Sequence, residues 1–66
     1  MATIYAYPNL RLAEAKATAE ARSTGKPMRV VARWTDRYGL NTSWQVWPYD
    51  RQPSGVDEIT WTVVRP

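Results

Sequence analysis

The hydrophobic pattern divides the chain into an alanine-rich first half and a second half in which apolar and polar residues alternate. Between residues 10 and 23, apolar side chains recur at the three- and four-residue spacing of a helix. The members of that stripe are Leu10, Ala13, Ala17 and Ala21. Residues 28–36, 43–49 and 57–64 instead alternate with a period of two, which is typical of strands. The pattern predicts one helix followed by three strands.

Local signals support these boundaries. Asn9 precedes the helical stretch, and its side-chain oxygen can accept a hydrogen bond from a free backbone N–H, so it is a good N-cap. Gly25 and then Pro27 follow the stretch, as expected where a helix ends. Residues 3–7 form a short strand-like run before the helix, and whether they form a strand stays open.

The predicted fold class is α+β, with one N-terminal helix packed on a three- or four-stranded antiparallel sheet in the order (β)αβββ. A flat alanine face lets a helix approach a sheet closely, and large indoles can fill the remaining gap. The short connections between the last three strands favour a meander, with a reversal over residues 37–41. Pro48 lacks a donor, so its strand should lie at an edge or end there. We expect one small domain over residues 1–66.

Strand alternation assigns the side chains to two faces of the predicted sheet. The set expected to face the helix is Val30, Ala32, Trp34, Trp44, Val46, Ile59, Trp61 and Val63. The set expected on the opposite, exposed face is Arg29, Arg33, Gln45, Trp47, Tyr49, Thr60 and Thr62, with Arg37 near one end. Because the side-chain period is two, a slip of one residue in any strand exchanges its faces.

The composition limits the kinds of site and partner that the chain can have. The chain has no cysteine and no histidine, which excludes disulfides and the usual zinc sites. Nine basic against six acidic residues give a net charge of +3, which permits an acidic partner without requiring one. No apolar run approaches the roughly 20 residues that span a bilayer, and the start lacks a signal-peptide pattern. We therefore expect a cytoplasmic protein that does not contact membranes.

Candidate catalytic features are weak. Residues 23–26 faintly suggest a phosphate-binding loop, but the required earlier glycine is replaced by Glu20, and Pro27 stands where a hydroxyl is needed. The common general base and the strongest nucleophile are both missing. Few carboxylates are adjacent, and none matches a known calcium-loop spacing. We expect neither an enzyme nor a metal or other cofactor.

The predicted exposed face is the best candidate for function. Its binding residues would be Arg29, Arg33, Arg37, Trp47 and Tyr49. Such residues can form a protein-binding hot spot, or stack on bases and neutralise phosphates, or simply form a solvated sheet face.

The leading hypothesis is a non-enzymatic protein-binding module, a small inhibitor or regulator similar in general character to those that phages and mobile elements encode. The alternative is a nucleic-acid-binding module that uses the same face. A homodimer is a third hypothesis, because an uncovered edge strand with an exposed tryptophan can pair with its copy.

Overall fold

The structure, a computed structural model, describes residues 5–34 and 41–66. Its elements are β1 (Ala6–Tyr7), α1 (Leu10–Thr24), β2 (Met28–Trp34), β3 (Thr42–Pro48) and β4 (Glu58–Val64). Within these residues the chain forms one helix and a four-stranded antiparallel sheet, which confirms the predicted α+β class. The predicted reversal, apart from Asn41, lies outside the described residues, as does Arg37.

Both ends of α1 confirm the sequence signals. Asn9 has an extended backbone, and its side-chain oxygen accepts the N–H of Leu12 at 2.8 Å. Gly25 takes a left-handed conformation with φ of 71°, and its N–H donates to the carbonyl of Ala21 at 2.8 Å. These two bonds satisfy backbone groups that the helix itself leaves unpaired at its ends.

The main hydrophobic core forms between the alanine stripe of α1 and the sheet. The residues packed together between α1 and the sheet are Ala13, Ala17, Ala21, Met28 and Val30, all buried. Partly buried side chains surround this core, namely Tyr7, Leu10, Trp44, Val46 and Val64. Because each alanine presents only a methyl group, the helix lies close to the sheet, and larger side chains fill the margins.

The strand order is β1-β3-β2-β4, so the predicted meander is wrong. β4 pairs with β2, which becomes an inner strand, because β1 already pairs with the other side of β3. The connection from Pro48 to Glu58 makes this possible. At about 3.3 Å per residue, residues 49–57 can reach roughly 30 Å, more than the length of a seven-residue strand.

A β-bulge in β4 changes the predicted faces. Val30 lies opposite Thr62, but Val31 lies opposite Thr60, so Trp61 is an extra residue in the ladder. Beyond the bulge, Val63 lies opposite Arg29 and therefore points away from the helix, contrary to the prediction. Thr62 and Val64 correspondingly take the helix side, which we call the helix face of the sheet.

Candidate functional site

The sheet face opposite the helix is covered rather than solvated. Residues 49–57 cross this side, which we call the connection face. The Arg51 guanidinium lies over the Trp47 ring, 4.9 Å from its centroid, and the Trp47 Nε1–H donates to Gln45 Oε1 at 3.0 Å. Trp47 is only 7% exposed. The expectation of an exposed Trp47 is therefore wrong, because a chain segment that strand alternation cannot reveal lies over it.

Arg29 is the centre of the connection face. It is 8% exposed and lies directly opposite Trp47. Its Nε and Nη2 both donate to the carbonyl of Tyr49, and its Nη1 donates to Thr60 Oγ1 at 2.8 Å. Its guanidinium also lies 4.7 Å from the centroid of the Tyr49 ring. The expectation of Arg29 as an exposed anchor is wrong, because these bonds satisfy its charge inside the protein and join β2, β4 and the connection.

The other end of the connection is held by Asp57. Its carboxylate accepts Arg33 Nε at 3.4 Å, and its carbonyl accepts the N–H of Trp34 at 3.2 Å. Arg33 and Tyr49 are both exposed, as predicted. The Arg33 guanidinium is paired with Asp57, and the Tyr49 ring lies against the buried Arg29 guanidinium. Of the five predicted binding residues, the structure thus leaves only these two at the surface, with Arg37 outside the described residues.

The helix face carries the most exposed aromatic group of the sheet. Trp61 is 54% exposed, and its ring meets Trp44 edge to face with centroids 5.4 Å apart and an interplanar angle of 81°. Ile59, 43% exposed, lies opposite Ala32, which in turn lies opposite Trp44. The small Ala32 side chain on the strand between them leaves room for the two indoles to meet. We call Trp44, Ile59 and Trp61 the tryptophan patch.

Strand alternation correctly predicts that Trp61 and Ile59 lie on the helix face, but the expectation that the helix covers them is wrong. One available signal argues against full coverage. A helix is about 10 Å wide, whereas four strands spaced about 4.8 Å apart form a wider surface. A single helix with an alanine face therefore leaves part of the sheet open. Only the strand order shows that β4 is the strand left at the margin.

A shallow cleft of about 590 Å³ lies beside the C-terminal end of α1. It is lined by Glu20, Thr24, Lys26, Pro27, Met28, Pro48, Tyr49 and Asp50. Within residues 5–34 and 41–66, no cluster of acidic side chains is arranged to hold a metal ion. In the same part of the chain, no helix is long and apolar enough to span a bilayer.

Comparison of the chain with protein-family models, with curated proteins and with solved structures gives no match. The features of this chain that bear on its function are therefore the two faces of its sheet.

Proposed function

We propose that this chain is a non-enzymatic protein-binding module, a small inhibitor or regulator, that contacts its partner through the tryptophan patch. The observation that carries the proposal is the 54% exposure of Trp61 on an ordered strand. We further propose that it acts in the cytoplasm, on the basis of its cysteine-free composition.

The arrangement of the patch suits protein recognition. The edge-to-face contact with Trp44 limits the orientations that the Trp61 ring can take before a partner binds. Preordered side chains lose less conformational entropy on binding, and tryptophan is enriched among the residues that contribute most to protein interfaces. Ile59 extends the apolar area beside the ring on the same face.

The state of the three described arginines on the connection face favours a protein partner over a nucleic acid. Nucleic-acid binding needs free cations beside exposed rings. Here Arg29 is buried against the Tyr49 carbonyl, Arg33 pairs with Asp57, and Arg51 lies over Trp47. Each of these three cations already has an intramolecular contact, whereas the exposed rings of the tryptophan patch lie on the opposite face.

The test compares three immobilised forms of the protein: wild type, Trp61→Ala and Tyr49→Ala. Tyr49 is an exposed aromatic residue on the connection side, so Tyr49→Ala is the matched control. Lysate of the source cell is applied with and without nuclease. We expect a protein that wild type and Tyr49→Ala retain, that nuclease does not release, and that Trp61→Ala loses.

Affinity for the purified partner then measures the contribution of Trp61. Residues that dominate interfaces contribute about 2 kcal/mol or more, so Trp61→Ala should weaken binding by about 30-fold. A retained species that nuclease or moderate salt releases, or a partner that Trp61→Ala binds as tightly as wild type, contradicts the proposal.

A further inference from the structure

Among residues 5–34 and 41–66, no strand pairs with the outer side of β4. β4 pairs only with β2 and forms one end of the sheet, so half of its backbone N–H and C=O groups point away from the described sheet. At the opposite end, β1 comprises only Ala6 and Tyr7. Very short edge strands offer little backbone for pairing, so β4 is the edge suited to it.

The composition of β4 lacks the usual protection of an edge strand. Between Glu58 and Arg65 its residues are β-branched or aromatic, without an intervening lysine, arginine or proline. Ile59, Trp61 and Val63 are exposed although all three lie within the strand, with Trp61 at its β-bulge. Edge strands that stay unpaired commonly carry inward-pointing charges, prolines or β-bulges, and of these β4 has the bulge at Trp61.

The charges at the ends of β4 are complementary to those of a second β4 in antiparallel orientation. The strand begins with Glu58, preceded by Asp57, whose carboxylate also pairs with Arg33, and Arg65 follows its last residue. Antiparallel pairing places the acidic start of one strand beside the basic end of the other, twice in a symmetric dimer. Parallel pairing would instead bring like charges together, which destabilises a strand pair.

We propose that β4 pairs antiparallel with β4 of a second copy of this chain and joins two sheets into one continuous sheet. A two-fold axis normal to the sheet lies near the middle of β4, so both Trp61 rings remain on the same face of the joined sheet. The dimer thereby places two tryptophan patches side by side. This inference depends on the strand edge and its charges, and it does not require the proposed function.

The test measures molecular mass by light scattering and sedimentation from about 1 µM to about 1 mM of protein. The range extends to high concentration because a single pair of seven-residue strands forms a small interface, which should bind weakly. We expect a monomer–dimer equilibrium. Amide exchange, followed at both ends of the range, should show concentration-dependent protection within β4 and unchanged exchange in α1.

A charge reversal tests the orientation. Arg65→Glu places an acidic group beside Asp57 and Glu58 of the second copy, and we expect the dimer dissociation constant to rise about tenfold. Arg11→Glu, on the exposed side of α1, changes the net charge equally and should leave that constant unchanged. Circular dichroism verifies that both variants are folded.

Three results would overturn the proposal: a monomer throughout the range, a dimer without protection in β4, or equal effects of Arg65→Glu and Arg11→Glu. A monomeric wild type that still binds its partner through Trp61 would refute the dimer and leave the proposed function intact. A dimer whose Trp61→Ala variant keeps full partner affinity would refute the proposed function and leave the dimer intact.

Discussion

Arg29 and Trp47 lie directly opposite each other on β2 and β3, and both are almost completely buried on the face of the sheet opposite α1. The connection between β3 and β4 covers them, with Arg51 over the indole and the Tyr49 carbonyl on the guanidinium. The inner strands of the sheet are therefore covered on both sides, by α1 on one and by the connection on the other. The exposed apolar side chains of the sheet lie at its margin, on β4.

Removing the Arg29 side chain should destabilise the fold. Arg29→Ala leaves the Tyr49 carbonyl and the Thr60 hydroxyl without their donor on a buried face, which we expect to cost about 2–4 kcal/mol in the free energy of unfolding. Urea denaturation measures the change. Arg33→Ala is the matched control, because its ion pair is exposed and should contribute about 0–1 kcal/mol. Equal losses for the two variants would contradict the structural role of Arg29.

Iodide quenching should distinguish Trp61 from Trp47. Iodide reaches only exposed indoles, so Trp61→Phe should remove much of the quenchable fluorescence of the protein. Trp47→Phe should remove a shielded component and raise the accessible fraction of what remains. Stern–Volmer plots of the two variants beside wild type give this comparison, and an accessible fraction that falls in Trp47→Phe would show that the connection does not cover the ring.

Enlarging the alanine stripe should separate the buried and exposed sides of α1. Ala17 is fully buried against the sheet, so Ala17→Leu must push the helix away, at a cost of about 1–3 kcal/mol. Ala19 is exposed on the same helix, and Ala19→Leu should change stability by less than about 0.5 kcal/mol. Thermal denaturation of both variants measures the difference, and a neutral Ala17→Leu would argue against close helix–sheet packing.

The end of α1 provides a test of backbone conformation alone. A Cβ added at Gly25 would meet no atom within 4 Å beyond Gly25 and its two chain neighbours, so the cost of Gly25→Ala arises from its φ of 71°. We expect a loss of about 1–2 kcal/mol, since a left-handed backbone brings Cβ close to the carbonyl oxygen. Gly25→Asn should lose less, because asparagine tolerates this region better. The order Gly, Asn, Ala in chemical denaturation midpoints checks the prediction.

Local signals in the chain were sufficient for the elements of the fold. The helix, its cap residues Asn9 and Gly25, its buried alanine stripe and the three later strands all follow from interactions within a few residues. Backbone capping and side-chain periodicity act at that range, so one sequence contains the information needed to predict them. The α+β class can be predicted because an alanine-lined helix and alternating strands bury their apolar sides by packing the helix on one face of the sheet.

The exposed surface was decided by contacts between residues far apart in the chain. Alternation places Trp47 and Arg29 on one side of the sheet, but whether that side is exposed to solvent depends on the path of residues 49–57. The side taken by Val63 depends on a one-residue bulge, and the exposure of Trp61 depends on β4 pairing with β2. Periodicity defines the direction of a side chain relative to its own strand. What lies above that side chain is set by strand order and connections, which are properties of the whole fold.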